Sequence, residues 1–160
     1  MINWKVEIAR LVLIKQEIAQ LDVLKAYPWH LPNIAASEDE IFAAEKRLQT
    51  QFPKDYKDFL RHANGWKGVL IASDLYRVED ANDQIREEIR DVFDQRGISG
   101  GKVVIGAAAD DLDVFLFSGN KVIWVASDVV EEFENFEQFF LSMIAYNERV
   151  LRNIKERANR

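Results

Sequence analysis

From Trp4 the apolar residues Ile8, Leu11, Ile14, Ile18 and Leu21 recur at spacings of three and four, the periodicity of one buried stripe on an amphipathic helix. The pattern predicts a first helix ending near Lys25. The following YPWHLPN segment holds Pro28 and Pro32, which disfavour helix at themselves and at the residue before each. It is too apolar for a flexible linker and reads as an ordered crossing loop. Ser37 opens SEDE, in which Ser37 and Glu40 can satisfy each other's backbone donors at a helix start. That helix carries Ile41, Ala44, Glu45 and Leu48 and is interrupted at Phe52-Pro53, where proline suits the first turn of a new helix. The second piece, KDYKDFLRHA, presents Tyr56, Phe59 and Leu60 on one side. Asn64-Gly65 is expected to end it, because both residues tolerate the left-handed conformation that closes a helix.

After Gly68 the period shortens. VLIA, LYRV, VVIGAAA, DVFLF and KVIWVA are β-branched or aromatic runs that predict strands, and Ser118-Gly119-Asn120 can join the last two as an antiparallel pair. A helix from about Asn82 to Arg96 would bury Ile85, Ile89, Val92 and Phe93 and stop at Gly97. Asn135 starts the last helix, with the stripe Phe136, Phe140, Met143, Asn147, Val150 and Ile154. Strands clustered between helices without βαβ alternation predict an α+β class with a mostly antiparallel sheet.

Composition narrows what such a domain can do. The 160 residues fit one domain, with 48% hydrophobic residues including ten Phe and four Trp, enough apolar volume for a substantial core. No cysteine is present, which removes disulfides, thiolate metal sites and cysteine nucleophiles. The charged start is unlike a signal peptide, and no uncharged apolar run reaches the roughly 20 residues of a membrane span, so a cytoplasmic location is expected and no membrane partner. A net charge of -6 argues against nucleic-acid binding, which needs clustered cations to displace counterions. The acids are concentrated: residues 79 to 94 hold seven against two arginines, and residues 110 to 137 hold eight against Lys121 alone. The end of the chain is basic, with Arg149, Arg152, Lys155, Arg157 and Arg160, as suits a helix C-terminus.

The stretch ASEDEIFAAEKRLQTQFPKDYKDFLRHANGW, residues 36–66, resembles the signature of the SUKH superfamily, whose founding relatives are the fungal Smi/Knr cell-wall regulators. The matching positions are Ile41, Glu45, Leu48, Phe52-Pro53, Tyr56, Phe59, Leu60 and Asn64-Gly65-Trp66. Downstream, the turn with Asp110, Asp111 and Asp113, the VIWV strand and the FENFEQFF helix are similar to the family's layout. The family usually has glycine where this chain has Gln49, so the first of the two helices is expected to end less abruptly. The resemblance implies one SUKH-like domain over residues 1–160, with residues 1–34 an N-terminal helix and crossing loop and residues 36–155 the family core. It also implies a protein-binding module, since many bacterial members resemble immunity proteins that neutralise toxin domains by direct binding. A Smi/Knr-type regulatory module without a toxin partner is the alternative.

The residues themselves offer little chemistry. Asp110, Asp111 and Asp113 could present hard oxygen ligands to a divalent cation, but aspartate also caps turns, and no further ligand follows at metal spacing. GISGGKV lacks the serine or threonine and the following helix of a phosphate loop. His30 and His62 lie 32 positions apart, and no nucleophile elbow or zinc motif is present. Glu45, inside an apolar helix pattern, reads as a structural hydrogen-bond acceptor. The chain is therefore expected to be no enzyme and to hold no metal or cofactor. A toxin that attacks nucleic acid, such as a nuclease, has a basic cleft that an acidic surface could occupy in place of phosphate. Glu79, Asp80, Asp110, Asp111, Asp113 and Glu131 are the expected border of that surface, and Trp66, beside a glycine-bounded loop, is expected to be a partly exposed aromatic that takes part in binding.

Overall fold

The computed structural model describes all residues except Pro28, Asp110, Asp111, Leu112 and Asp128, so the proline and the aspartate pair singled out above lie outside the described residues. Helix α1 (Trp4–Leu21) starts at Asn3, whose side chain accepts the N–H of Val6. Helix α2 (Glu38–Leu48) has the predicted capping box in full: Ser37 Oγ accepts from Glu40 N and Glu40 Oε1 accepts from Ser37 N, each at 3.1 Å. Helix α3 (Lys54–Leu60) follows the Pro53 start. Strand β1 (Ser73–Leu75) leads through a single 3-10 turn at Val78–Asp80 to helix α4 (Glu87–Arg96). Strands β2 (Lys102–Ala108), β3 (Asp113–Ser118), β4 (Lys121–Ala126) and β5 (Val129–Phe133) then precede the long helix α5 (Phe136–Ala158).

The five strands form one antiparallel sheet in the order β1-β2-β3-β4-β5, confirming the α+β class. Alternation of side chains then gives each face its own partner layer. One face carries Phe115, Phe117, Val122 and, half-buried, Trp124 and Phe133 against the helices α1, α2, α3 and α5. Their contact is largely aromatic: Tyr56 meets Phe117 at 5.0 Å and Phe115 meets Phe139 at 5.1 Å between ring centroids. Each such pair contributes about 0.5–1.5 kcal/mol beyond the area it buries. The other face carries Val104, Ala107, Val114, Leu116, Ile123 and Val125 under Ile89 and Phe93 of α4. The N-terminal helix is integral to this core, because Trp4 lies 5.5 Å from Phe59 and 5.4 Å from Phe140.

Several sequence expectations change. Helix α1 ends at Leu21 and not near Lys25, and α4 begins at Glu87 and not at Asn82. The VLIA run forms no strand: Val69 and Leu70 are buried within an irregular segment ahead of β1. Helix α3 stops at Leu60, capped by Arg61, before Asn64-Gly65 is reached. Strand β5 was not foreseen, because Glu131 and Glu132 interrupt any apolar alternation in it.

Gln49 replaces the expected soft end of α2 with a sharp one. It sits in the left-handed region at φ 52, ψ 43, with its N–H directed to Glu45 and Lys46 carbonyls, and Thr50 N–H reaches Glu45 O at 3.0 Å. A side chain in this conformation is strained where glycine is not. Gln49→Gly should therefore raise stability by roughly 0.5–1 kcal/mol, about 2 °C in melting temperature for a chain of this size. A lower melting temperature for the variant would show that the strain is absent.

Candidate interaction surface

Glu79 and Asp80 are exposed on the 3-10 turn that packs beside α2. The turn is fixed by the buried Asn64: its Oδ1 accepts the N–H of Val78 at 2.7 Å and its Nδ2 donates to Glu79 Oε1 at 2.9 Å. From the helix side, Arg47 Nη2 donates to the carbonyls of Val78 and Glu79 at 3.3 and 3.2 Å. Glu40 faces the same corner, and its carboxyl is held below the usual range first by the Ser37 backbone N–H and then by contact with Glu79. Glu40, Glu79 and Asp80 thus form one exposed acidic corner. Glu38, also at this helix start, is instead drawn away by Arg61, whose guanidinium lowers its carboxyl.

The other expected contacts lie elsewhere. Asp113 is half-buried at the start of β3, opposite Ala126. Glu131 is exposed on β5, opposite Trp124. β1 and β5 are the two outer strands of the sheet, four inter-strand spacings or about 19 Å apart. The acids near β1 and the acid on β5 are therefore separate places and not one continuous border. Asp110 and Asp111 are outside the described residues.

Trp66 is a correction. It is fully buried, its Nε1–H donates to the His30 carbonyl at 2.9 Å, and its ring lies 6.5 Å from Phe140. Its backbone pairs with Leu75 in both directions, at 2.9 and 3.0 Å. Trp66 is thus a core anchor that closes the β1 edge and offers no contact surface. Glu45 has the structural role read from the sequence: its Oε2 accepts the Phe52 N–H at 2.8 Å and stands 3.7 Å from Lys57 Nζ, tying α2 to the start of α3.

A cleft of about 1050 Å³ lies between the Leu48–Pro53 linker, the glycine-rich loop at residues 98–102 and the Ser118–Asn120 turn. Its charged side chains are Asp83, Arg90, Asp94 and Lys102. Lys102 Nζ donates to the Gly100 carbonyl at 2.7 Å and lies 5.4 Å above the Phe93 ring, and burial lowers its pKa. The histidines stand outside it: His62 Nδ1 is 2.8 Å from the Asp58 carbonyl, and His30 offers its carbonyl to Trp66. Among the described residues no cluster of three or more carboxylate or imidazole groups could hold a metal ion. No helix among them is long and apolar enough to cross a membrane.

Strand β5, and with it Glu132, has only a weak signature in the sequence. The available signal was Val129-Val130 and Phe133, strand-forming residues on either side of two acids and bounded by turns. Residues 35–142 match the model of the SMI1 / KNR4 family (SUKH-1). No curated protein matches the chain.

Proposed function

The chain belongs to the SMI1 / KNR4 family (SUKH-1), and on that premise we propose that it is an immunity-type binding module that neutralises a cognate toxin domain by docking on it. The observation that carries this reading is the exposed acidic corner, where Asn64 of the family's Asn-Gly element fixes the turn that carries Glu79 and Asp80 beside Glu40. Rigidly presented carboxylates speed encounter with a basic cleft and stand in for the phosphates a nuclease would bind. Co-expression with the C-terminal domain of the neighbouring gene's product tests the reading. Restored growth and a co-purifying complex are expected, and unrelieved growth arrest would overturn it.

The corner makes a kinetic prediction for that complex. Reversing Glu79 and Asp80 to lysine should slow association roughly tenfold at low salt, with the difference shrinking as ionic strength rises. Stopped-flow association across a salt series is the measurement, and equal rates at low salt would remove the corner from the interface.

A further inference from the structure

β5 is the outermost strand of the sheet, and among the described residues no strand pairs with its outer side. The opposite edge is closed, because Trp66 pairs with Leu75 across β1. The direction of the β5 backbone groups follows from the hairpin geometry. Ser118 and Lys121 pair across the two-residue turn Gly119-Asn120, so the bonds of β3 to β4 fall on Lys121, Ile123 and Val125. Val122, Trp124 and Ala126 then bond to Phe133, Glu131 and Val129, their register partners. By the same alternation, Val130 and Glu132 direct their N–H and C=O groups away from the sheet.

We propose that this edge receives an extended, basic segment of a partner protein, which adds to the sheet as a sixth strand. The inference rests on the binding-module reading and adds to it a second contact, apart from the acidic corner, at the opposite edge of the sheet. Charge selects the occupant. Glu131, Glu132 and Glu134 are all exposed along or just beyond the strand. A second copy pairing through its own β5 would set like charges against one another, which destabilises cross-strand pairs, whereas lysine or arginine on the matching face complements Glu131 on one side of the sheet or Glu132 on the other. A shallow cleft of about 440 Å³ beside the strand, formed by Arg96, Ile98, Val130 and Glu132, gives alternate side chains of the added strand a place to rest. Val129, 63% exposed, offers apolar contact at the head of the same strand.

The test uses the full chain and a capped nonapeptide of alternating lysine and valine, with binding followed by calorimetry and amide hydrogen exchange. Binding should slow exchange at the Val130 and Glu132 amides at least tenfold. N-methylation of the peptide residues that face β5 should weaken binding at least tenfold, as should Glu132→Pro, whose lost N–H serves no bond within the sheet. If Glu132→Pro does not fold, the N-methylated peptide still decides. No binding, equal binding of the N-methylated peptide, or binding without slowed exchange at those two amides overturns the proposal and leaves the glutamates as guards against self-association. Growth rescue by the unaltered chain separates the two readings: rescue without edge protection removes strand addition alone, and edge protection without rescue removes the toxin partner alone.

Discussion

Replacing Gly65 with alanine should lower the melting temperature by about 10 °C or more, corresponding to a destabilisation of roughly 4 kcal/mol. Gly65 has φ +84, where a side chain is already strained, and a Cβ there would lie 2.4 Å from the Tyr76 carbonyl oxygen and 2.7 Å from that of Leu75. Both obstacles are backbone and neither can retreat cheaply. Leu75 is bound to Trp66 in both directions, and Tyr76 N–H donates to Ile105 O at 2.8 Å. Moving Gly65 instead would disturb the crossing loop, since Asn33 N–H donates to the Gly65 carbonyl and Asn33 Nδ2 to the Asn64 carbonyl. Gly97 supplies the control. It ends α4 at φ +68 with no atom within 4 Å of an added Cβ, so Gly97→Ala carries only the conformational cost of about 1 kcal/mol. Thermal and denaturant unfolding of both variants would separate close approach from backbone strain. Equal losses in the two would disprove the packing argument.

The same Asn-Gly pair shows where the sequence was legible and where it was not. Its left-handed glycine was readable, since few residues accept that conformation. Its purpose was not, because the Tyr76 carbonyl and the Val78–Glu79 turn that it clamps lie more than ten residues away along the chain. Local signals were read correctly: the Ser37–Glu40 capping box, the Pro53 helix start, and the antiparallel pairing of β3 with β4. Trp66 looked exposed because it stands beside a glycine-bounded loop, yet pairing with Leu75 and packing near Phe140 draw it into the core. The β5 edge was missed for the opposite reason. A strand with a free outer side and acidic side chains carries no hydrophobic period to detect. Glu79, Asp80 and Glu131 were grouped by the density of acids along the chain alone, and the register of the sheet then separated Glu79 and Asp80 from Glu131.

Lys15 is the second place where tertiary structure overrides the pattern, and it predicts that Lys15→Met makes the protein more stable. The stripe on α1 was expected to bury Ile14 and Leu21, but the structure buries Lys15 and leaves Leu21 exposed. The ammonium lies between α1 and α5, with Asn147 Oδ1 at 3.4 Å, and Asn147 spends its Nδ2 on the Val69 and Met143 carbonyls. Burial pulls the Lys15 pKa from 10.5 down to about 8. Below pH 8 the group is protonated in both folded and unfolded chains, and the full cost of burying the charge is present. Between pH 8 and 10.5 the folded protein releases the proton while the unfolded chain keeps it, so stability rises with pH through this window and levels off above it. The displacement corresponds to about 3 kcal/mol at most. Methionine removes that cost but leaves the Asn147 oxygen without its donor, which returns about 1–2 kcal/mol. The expected gain at pH 7 is therefore about 1–2 kcal/mol. The sharper readout is the difference in unfolding free energy between the original chain and Lys15→Met across pH 7 to 11, in which titrations common to both cancel. That difference should fall by about 3 kcal/mol between pH 8 and 10.5, passing through zero so that the original chain becomes the more stable one; a constant difference over the whole range would mean that Lys15 keeps its ordinary pKa and that its burial is offset by solvent.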